Sequence, residues 1–415
     1  MTAVREPRAR AWAPPLLRDP PFRRYWSGQT VSLLGDQITE IALPLLAVLV
    51  AHAGPAQMGY LTAAALLPNL LFSLVAGAWA DRRADKRRIM ILADLGRAAA
   101  LLAVPTLYLT GRLALPVLYL IAFAVGTLSV AFEVCRSTLF ASLVNRRDYL
   151  AANALLNGSR AFSFVAGTSA GGLLVQFLTA PVALLVDGLS YLYSAWAIAR
   201  VRVTEPAPPT ERGLAVGRGL SFLARSPVMR ALVCGSTTLN LFNYMFHALF
   251  ILYATRYLRI APGVLGVALG VASIGSLLGA TLARRLADRF GVGRTLVASY
   301  LLFPAPLILI PLATGPHALV LATLCAAEFL SGAGVMVLDI VGGSVQTSVV
   351  PDGLRARVSG AYRTLNYGIR PIGAVLGGAL GAALGVRTGL WIATVGATAG
   401  TGWLLASPIP RLHRL

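Results

Sequence analysis

Long apolar runs recur along almost the whole chain, with short polar segments between them. About 20 helical residues are needed to cross the hydrocarbon core of a bilayer, and the runs have this length. The pattern therefore predicts twelve membrane-crossing helices. The predicted crossings, numbered 1 to 12 along the chain, are 27–51, 58–80, 89–110, 115–134, 157–178, 182–200, 230–254, 263–283, 295–314, 317–340, 358–384 and 387–406.

The basic residues lie almost entirely in every second gap between these crossings. With a cytoplasmic N-terminus, 28 of the 36 Lys and Arg residues fall in cytoplasmic segments, four in outer loops and four inside crossings. Cytoplasmic loops of membrane proteins carry such an excess of positive charge. The sequence therefore predicts a multi-pass protein of the cytoplasmic (cell) membrane with both termini inside. The same distribution argues against nucleic acid as a partner, although the net charge is +20.

Composition and motif spacing exclude several other classes of function. Only 13% of the residues are charged, against about 25% in soluble domains. The three cysteines and four histidines are scattered without ligand spacing, so we expect neither a disulfide nor a metal site. No glycine-rich loop ends in the Gly-Lys-Ser/Thr of a nucleotide-binding motif, so we expect no cofactor and no direct use of ATP.

A repeat at an offset of 206 residues divides the chain into halves. Three glycines of crossing 5 recur in crossing 11, and an acid near the end of crossing 4 recurs in crossing 10; the pairs are Gly167 and Gly373, Gly171 and Gly377, Gly172 and Gly378, and Glu133 and Asp339. Two six-helix halves in one orientation are the parallel repeat of a two-bundle transporter. The predicted segments are an N-terminal segment 1–26, a first bundle 27–200, a linker 201–229, a second bundle 230–406 and a tail 407–415.

Several short motifs mark the starts and ends of the crossings. They are Phe22-Arg23-Arg24-Tyr25-Trp26, Ser32-Leu33-Leu34-Gly35-Asp36, Ala42-Leu43-Pro44, Gly77-Ala78-Trp79-Ala80-Asp81-Arg82, and Pro351-Asp352 followed by Arg355, Arg357 and Val358-Ser359-Gly360. With them the chain resembles the major facilitator superfamily, and within it the bacterial branch of enterobactin exporters and macrolide efflux proteins. The resemblance covers about residues 17–406. It implies an all-α membrane fold of twelve helices in two pseudo-symmetric six-helix bundles, and we expect a monomer.

Two departures from the family pattern bear on the interpretation. The loop after Asp81 lacks the family's usual glycine and is about one residue longer than the family's loop. The position of the Arg that would take the family's role in this loop is therefore left open. The antiporter element of crossing 5 has Thr168 in place of proline. This substitution weakens the family's indication of export without removing it.

Ionisable residues deep in the crossings are the candidates for chemistry, because each is costly in a bilayer. At 1.5 Å per residue, Glu40, Glu328 and Arg370 lie near the midplane, where such transporters bind substrate. We expect Arg370 to pair with Glu328 first and Glu40 second; the alternative is a static buried ion pair. The predicted substrate cavity comprises Glu328, Arg370, Arg363, Asn366, Asn243 and His247, although packing is an alternative role for His247.

Proton coupling is expected at Glu40, with Asp36 one turn away on the same helix face. A coupling group must change its charge in the accessible pH range, and both burial and a neighbouring like charge disfavour the ionised form of a carboxyl group. Asp94 and Arg97, three residues apart, are expected to pair. Asp94, Arg97 and Asp187 are expected to have structural roles, because crossings 3 and 6 are outer helices in the resembled fold.

The resemblance also implies a latch that closes the cytoplasmic side. Its predicted members are Asp81, Arg87, Arg88, Arg97, Glu133 and Asp339. In an outward-open state, Asp81 should lie against the start of crossing 11, and Glu133 should reach Arg87, Arg88 or Arg97. The alternative interpretation is a set of solvated loop charges.

The sequence thus predicts a secondary transporter that exports a small, largely apolar compound, such as a drug, macrolide, siderophore or other natural product, by proton antiport. It is not expected to be an enzyme. One alternative is an importer or facilitator on the same fold. Another is a membrane sensor or enzyme built on a transporter-like bundle, for which the sequence offers neither a catalytic cluster nor an added soluble domain.

Overall fold

The computed structural model describes residues 15–81, 83, 85–202 and 216–413. In this part of the chain the regular structure is helical, with fifteen α-helices and no strand. The helices are α1 Pro20–Leu49, α2 Pro55–Asp81, α3 Lys86–Leu109, α4 Leu115–Leu143, α5 Tyr149–Phe177, α6 Ala180–Ala199, α7 Val216–Arg225, α8 Pro227–Leu252, α9 Pro262–Phe290, α10 Val292–Leu302, α11 Leu309–Leu312, α12 His317–Val349, α13 Arg355–Leu384, α14 Val386–Ala399 and α15 Gly402–Leu405.

Eight helical segments in the described ranges are long and apolar enough to cross a membrane. They are α1, α3, α4, α6, α9, α12, residues 357–384 of α13, and α10 together with α11. Helices α2, α5 and α8, of 27, 29 and 26 residues, also have spanning length. Each predicted crossing coincides with one helix or, for crossings 9 and 12, with a pair. The chain is therefore a multi-pass all-α membrane protein.

Helix starts follow from local sequence. Asp19 caps α1, where its carboxylate accepts a hydrogen bond from the backbone N–H of Phe22 at 3.4 Å. Ser226 caps α8 in the same way through the N–H of Met229. In both helices a proline follows the cap directly, where its missing N–H costs no hydrogen bond.

The helices pack as two groups that meet along two seams. Helices α1–α6 pack among themselves, and so do α8–α15. Between the groups, α2 packs against α13 and α5 against α9. We call the face that carries residues 20, 199 and 405 the terminal face, and the opposite face, with residues 49, 177 and 384, the far face.

Both seams are tightest near the far face, where glycines let the backbones approach. A Cβ on Gly172 of α5 would lie 2.8 Å from the Cα of Gly266 in α9. A Cβ on Gly378 of α13 would lie 2.9 Å from the Cα of Gly59 in α2. Small residues permit such contacts between membrane helices. The repeated glycines Gly172 and Gly378 therefore lie where the two halves approach each other closely.

The other repeated glycines face within their own half. Gly171 packs against the backbone of Ile38 in α1, and Gly377 packs equivalently against Met245 in α8. Each repeat thus places one glycine inside its half and the next on the seam with the other half.

The linker between the halves contains an amphipathic helix that the sequence analysis did not predict. Helix α7 packs against α8 and α13, with Leu223 buried and Leu220 exposed. Residues 203–215 of the predicted linker lie outside the described part.

Candidate functional site

A cavity of about 760 Å³ lies between the two helix groups. Its walls come from α1–α6 on one side and from α8, α9 and α12 on the other. The lining combines apolar side chains, such as Leu61, Leu101 and Phe250, with polar and charged ones. The charged side chains are Asp36, Glu40, Arg97, Glu133, Arg136, Arg160 and Glu328. Concave sites in which polar groups lie among apolar walls are typical of small-molecule binding.

The cavity is closed towards the far face. There the glycine seams are joined by hydrogen bonds between the halves. The side-chain oxygen of Gln176 accepts from the backbone N–H of Gly263 at 2.9 Å, and Arg256 donates to the carbonyl of Val48 at 3.2 Å. Gly263 lies in the first turn of α9, whose N–H groups lack partners within the helix. The hydrogen bond to Gln176 therefore gives the backbone N–H of Gly263 an acceptor from the other half.

Towards the terminal face the cavity continues. Arg136 and Asn153 line it, and both lie within about two turns of the terminal ends of α4 and α5. Among the described residues, a Cβ added at Gly158 in α5 would meet no atom within 4 Å, and the same holds at Gly360 in α13. Close contacts like those of the seams are therefore not made at these two positions by the described part of the chain.

Acidic side chains from both halves reach the cavity at the predicted depth. Asp36 and Glu40 line it from α1, and Glu328 lines it from α12. Glu328 is 9% exposed. Within the described ranges, neither Glu40 nor Glu328 has a basic side chain within 4 Å. The cavity thus holds two carboxyl groups without ion-pair partners.

Within the described part of the chain, Arg370 does not pair with a carboxylate, contrary to the expectation from sequence. Its guanidinium donates to Asn240 Oδ1 at 3.0 Å and to the hydroxyl of Tyr244 at 3.1 Å. It also lies 4.0 Å from the ring centre of Tyr367. The amide oxygen of Asn240, the hydroxyl of Tyr244 and the ring of Tyr367 thus surround the cation. The side chain meets these groups because the face of α13 that carries Arg370 packs on α8.

The remaining predicted cavity residues divide into two groups. His247 lines the cavity. Arg370, Asn366, Arg363 and Asn243 do not belong to its lining. Asn366 is buried and accepts from Asn240 at 3.3 Å, so it ties α13 to α8. Arg363 is exposed and lies 5.7 Å from the ring of Tyr367.

A buried network joins three helices beside the cavity. We call it the α1–α3–α6 cluster; its members are Asp36, Asp94, Arg97, Asp187 and Tyr191. The predicted pairing of Asp94 with Arg97 is confirmed, since the two side chains are in contact. Tyr191 donates to Asp36 Oδ1 at 2.6 Å, and the guanidinium of Arg97 lies 4.2 Å from the Tyr191 ring. Asp187, predicted in an outer helix, accepts a hydrogen bond from Thr39, which lines the cavity. It therefore lies close to the cavity wall.

The predicted latch residues make other contacts in this state. Glu133 accepts from Arg136 Nε at 2.7 Å, one turn along α4. Arg87 donates to the carbonyl of Val201, just beyond the end of α6, at 2.6 Å. Asp339 is exposed. The side chain of Asp81 lies outside the described part, and the latch stays a prediction for the state in which the terminal face is closed.

Sequence reasoning missed several cavity residues. Tyr191, Tyr244, Asn157 and Arg160 all line the cavity. Arg160 falls inside predicted crossing 5. The free-energy cost of a charged side chain in the bilayer is the signal that could have identified it as a cavity residue. The two tyrosines carried no such signal, because tyrosine is common in membrane helices.

Comparisons with known proteins agree with this architecture. A family model described as a transmembrane secretion effector, MFS_3, matches residues 9–414. The multidrug efflux pump Tap of Mycolicibacterium fortuitum is 30% identical over 371 residues, which are 83% of this chain and 85% of that protein. The MFS-type transporter YfiS of Bacillus subtilis (strain 168) is 25% identical over 317 residues, 74% of this chain and 70% of that protein.

Solved structures share the fold at low sequence identity. A bacterial homologue of the iron transporter ferroportin in an inward-facing state superposes with a TM-score of 0.75 at 16% identity, covering 94% of this chain and 99% of that one. The nucleoside transporter NupG superposes with a TM-score of 0.73 at 12% identity, covering 94% and 98%. The chain therefore belongs to the transmembrane secretion effector family of major facilitator superfamily transporters.

Proposed function

We propose that this chain exports a small, largely apolar compound by alternating access and that protons drive the export. The observation that carries the proposal is the central cavity, which is closed at the far face, has apolar side chains over part of its wall and is lined by Glu40, Asp36 and Glu328. Its volume lies within the range of about 300–1,000 Å³ that is usual for sites binding drug-sized ligands.

Orientation and direction rest on two further arguments. The basic residues crowd the terminal face, which supports a cytoplasmic position for that face and for both termini. The structure then corresponds to an inward-facing state that accepts compound from the cytoplasm. Similarity to the multidrug efflux pump Tap supports export over import. The bundles 27–200 and 230–406 are the proposed moving bodies, and 201–229 is the link between them.

Glu40 is the proposed proton carrier. It faces the cavity and, in the described part of the chain, has no basic partner, so a change in its charge is not compensated by a neighbour. It accepts a proton in the outward-open state and releases it to the cytoplasm, so the charge in the cavity alternates with substrate occupancy. Glu328, without a basic partner in the described ranges, is the next candidate.

The test is transport by purified protein in proteoliposomes under an imposed pH gradient, with ethidium and rhodamine 6G as the first fluorescent probes. Wild type should accumulate a probe against its concentration only when the gradient is present. Glu40→Gln should lose this accumulation yet keep probe binding, because glutamine mimics the protonated acid. Gln57→Glu and Gln57→Ala serve as far-face controls and should transport normally.

Three outcomes would contradict the proposal. Full gradient-driven transport by Glu40→Gln would exclude Glu40 as the carrier. Movement of the probes in the opposite direction would favour an importer, and no transport of any compound in a wider panel would favour the sensor or enzyme alternative.

A further inference from the structure

We propose that the α1–α3–α6 cluster is a second, buried proton site in which Asp187 carries the proton and Thr39 connects it to the central cavity. This inference deepens the proposed proton-driven export and rests on it. It assigns a transported ion to a helix, α6, that the sequence analysis treated as scaffold.

The first argument is the balance of charge. The cluster holds three carboxyl groups, those of Asp36, Asp94 and Asp187, and one guanidinium, that of Arg97. Arg97 contacts Asp94, whereas Asp36 and Asp187 have no ion pair in the described ranges. Asp187 is fully buried. Because uncompensated buried charges are costly, the cluster is neutral only when two protons are bound.

The second argument is that α1 leaves space for the carboxyl group of Asp187 and that hydroxyl groups hold it there. A Cβ on Gly35 would collide with the carboxylate of Asp187, so the absence of a side chain at position 35 makes room for it. Ser190 donates to one oxygen, Oδ1, at 2.8 Å, and Thr39 donates to the other, Oδ2. Both oxygens are thus held by hydroxyl groups, which can accept a hydrogen bond as well as donate one.

The third argument is access. Thr39 lines the central cavity while its hydroxyl contacts Asp187 Oδ2. A proton therefore reaches the carboxyl in one relay step. The Thr39 oxygen takes a proton from a hydronium ion in the cavity as its own proton passes to Asp187 Oδ2, and the hydroxyl is restored. Release follows the same path in reverse.

The guanidinium of Arg97 can stabilise the cluster when a proton leaves it. Arg97 is 3% exposed, and its Nε has no hydrogen-bond partner among the described residues. This N–H is available when a proton leaves the cluster. The titratable and charged groups that face the cluster from the packed helices are Asp36 and Glu40 on α1, Asp94 and Arg97 on α3, Glu133 on α4, Arg160 on α5, and Tyr191 on α6 itself.

The direct test is infrared spectroscopy of the purified, full-length protein, which detects the carbonyl stretch of a protonated carboxyl group. Wild type should show such bands that titrate with pH, and the difference spectrum between wild type and Asp187→Asn should contain one titrating band that the variant lacks. A set of bands that is unchanged in Asp187→Asn would overturn the assignment to Asp187.

Hydrogen exchange of the same band tests the route and does not require a variant at Asp187. On transfer to D₂O, the band should shift more slowly in Thr39→Val than in wild type, because the relay hydroxyl is gone. Thr62→Val is the matched control, since Thr62 also lines the cavity but its hydroxyl bonds the carbonyl of Met58 in its own helix. Equal exchange in Thr39→Val, Thr62→Val and wild type would overturn the role of Thr39.

Ethidium transport in proteoliposomes separates this inference from the proposed function. Asp187→Asn should lose accumulation driven by the pH gradient and keep downhill exchange. Retention of full accumulation by Asp187→Asn would overturn the inference and leave proton-driven export standing. If wild type itself shows no gradient-driven transport of any probe, the proposed function fails, and the infrared result alone decides whether the cluster binds a proton.

Discussion

At the scale of single residues, the depth of a side chain and its direction have different origins. Depth follows from counting 1.5 Å per residue from the membrane face, and this placed Glu40 and Glu328 at the cavity as predicted. Direction depends on how each helix is rotated against its neighbours, and sequence spacing alone does not determine that rotation. Arg370 has the expected depth, but its side chain meets Asn240 and Tyr244 on α8.

Arg370 is therefore predicted to stabilise the second half and not to balance an acid. Arg370→Met should lower the free energy of unfolding by about 1.5–3 kcal/mol, the usual contribution of hydrogen bonds to a charged group. Arg363→Met, at an exposed position on the same helix, should change it by less than about 0.5 kcal/mol. Thermal or denaturant unfolding in detergent measures both.

An Arg370–Glu328 ion pair would give a different result. Arg370→Met would then strand a buried carboxylate, and the double variant with Glu328→Gln would be more stable than Arg370→Met alone. Independent effects of the two substitutions would agree with the contacts seen here.

At the scale of helices, the apolar runs located every crossing but not the helix ends. Helices α4, α5, α9 and α12 extend seven to nine residues beyond the predicted crossings, always at the terminal face. A helix continues into water wherever its residues permit, so hydropathy marks the bilayer and not the helix end. The break between α10 and α11 was also missed, although Pro304 and Pro306 lie in it. The small-residue contacts could be predicted, because the glycines recur at one offset.

The glycine seams are predicted to be required for closure of the far face. Gly172→Ala places a Cβ 2.8 Å from the Cα of Gly266, so α5 and α9 must move apart. Gly158→Ala on the same helix is the matched control, because no atom of the described residues lies within 4 Å of the added Cβ. Spin labels at Leu109 and Leu384, exposed on the far face of the two halves, should report longer distances in Gly172→Ala only. Unchanged distances would show that the seam tolerates a side chain.

At the scale of the whole molecule, the closed far face and the separated terminal face form one of two states that an alternating-access transporter must visit. Among the described residues, this state is held by the two glycine seams, by the hydrogen bond that Gln176 accepts from the N–H of Gly263, and by the one that Arg256 donates to Val48. The sequence indicated both the repeat and the positive charge of one face, and these define the architecture. It could not indicate which face is closed, because one sequence must stabilise both states within a few kcal/mol of each other.

The opposite state should be held by the predicted latch at the terminal face. Here Glu133 bonds Arg136 within α4, so it is free to exchange that partner when the halves close. Asp81→Asn combined with Glu133→Gln should remove two of the three acids of the latch and shift the population towards the state described here. Spin labels at Leu150 and Asp352, both exposed at the terminal face, should then lose their short-distance fraction. Asp288→Asn, which removes an exposed acid near the same face, should leave the distances unchanged. If the short-distance fraction survives the double substitution, contacts other than those of Asp81 and Glu133 close this face. A latch that depends on these two charges cannot form once both carboxylates have been replaced by amides.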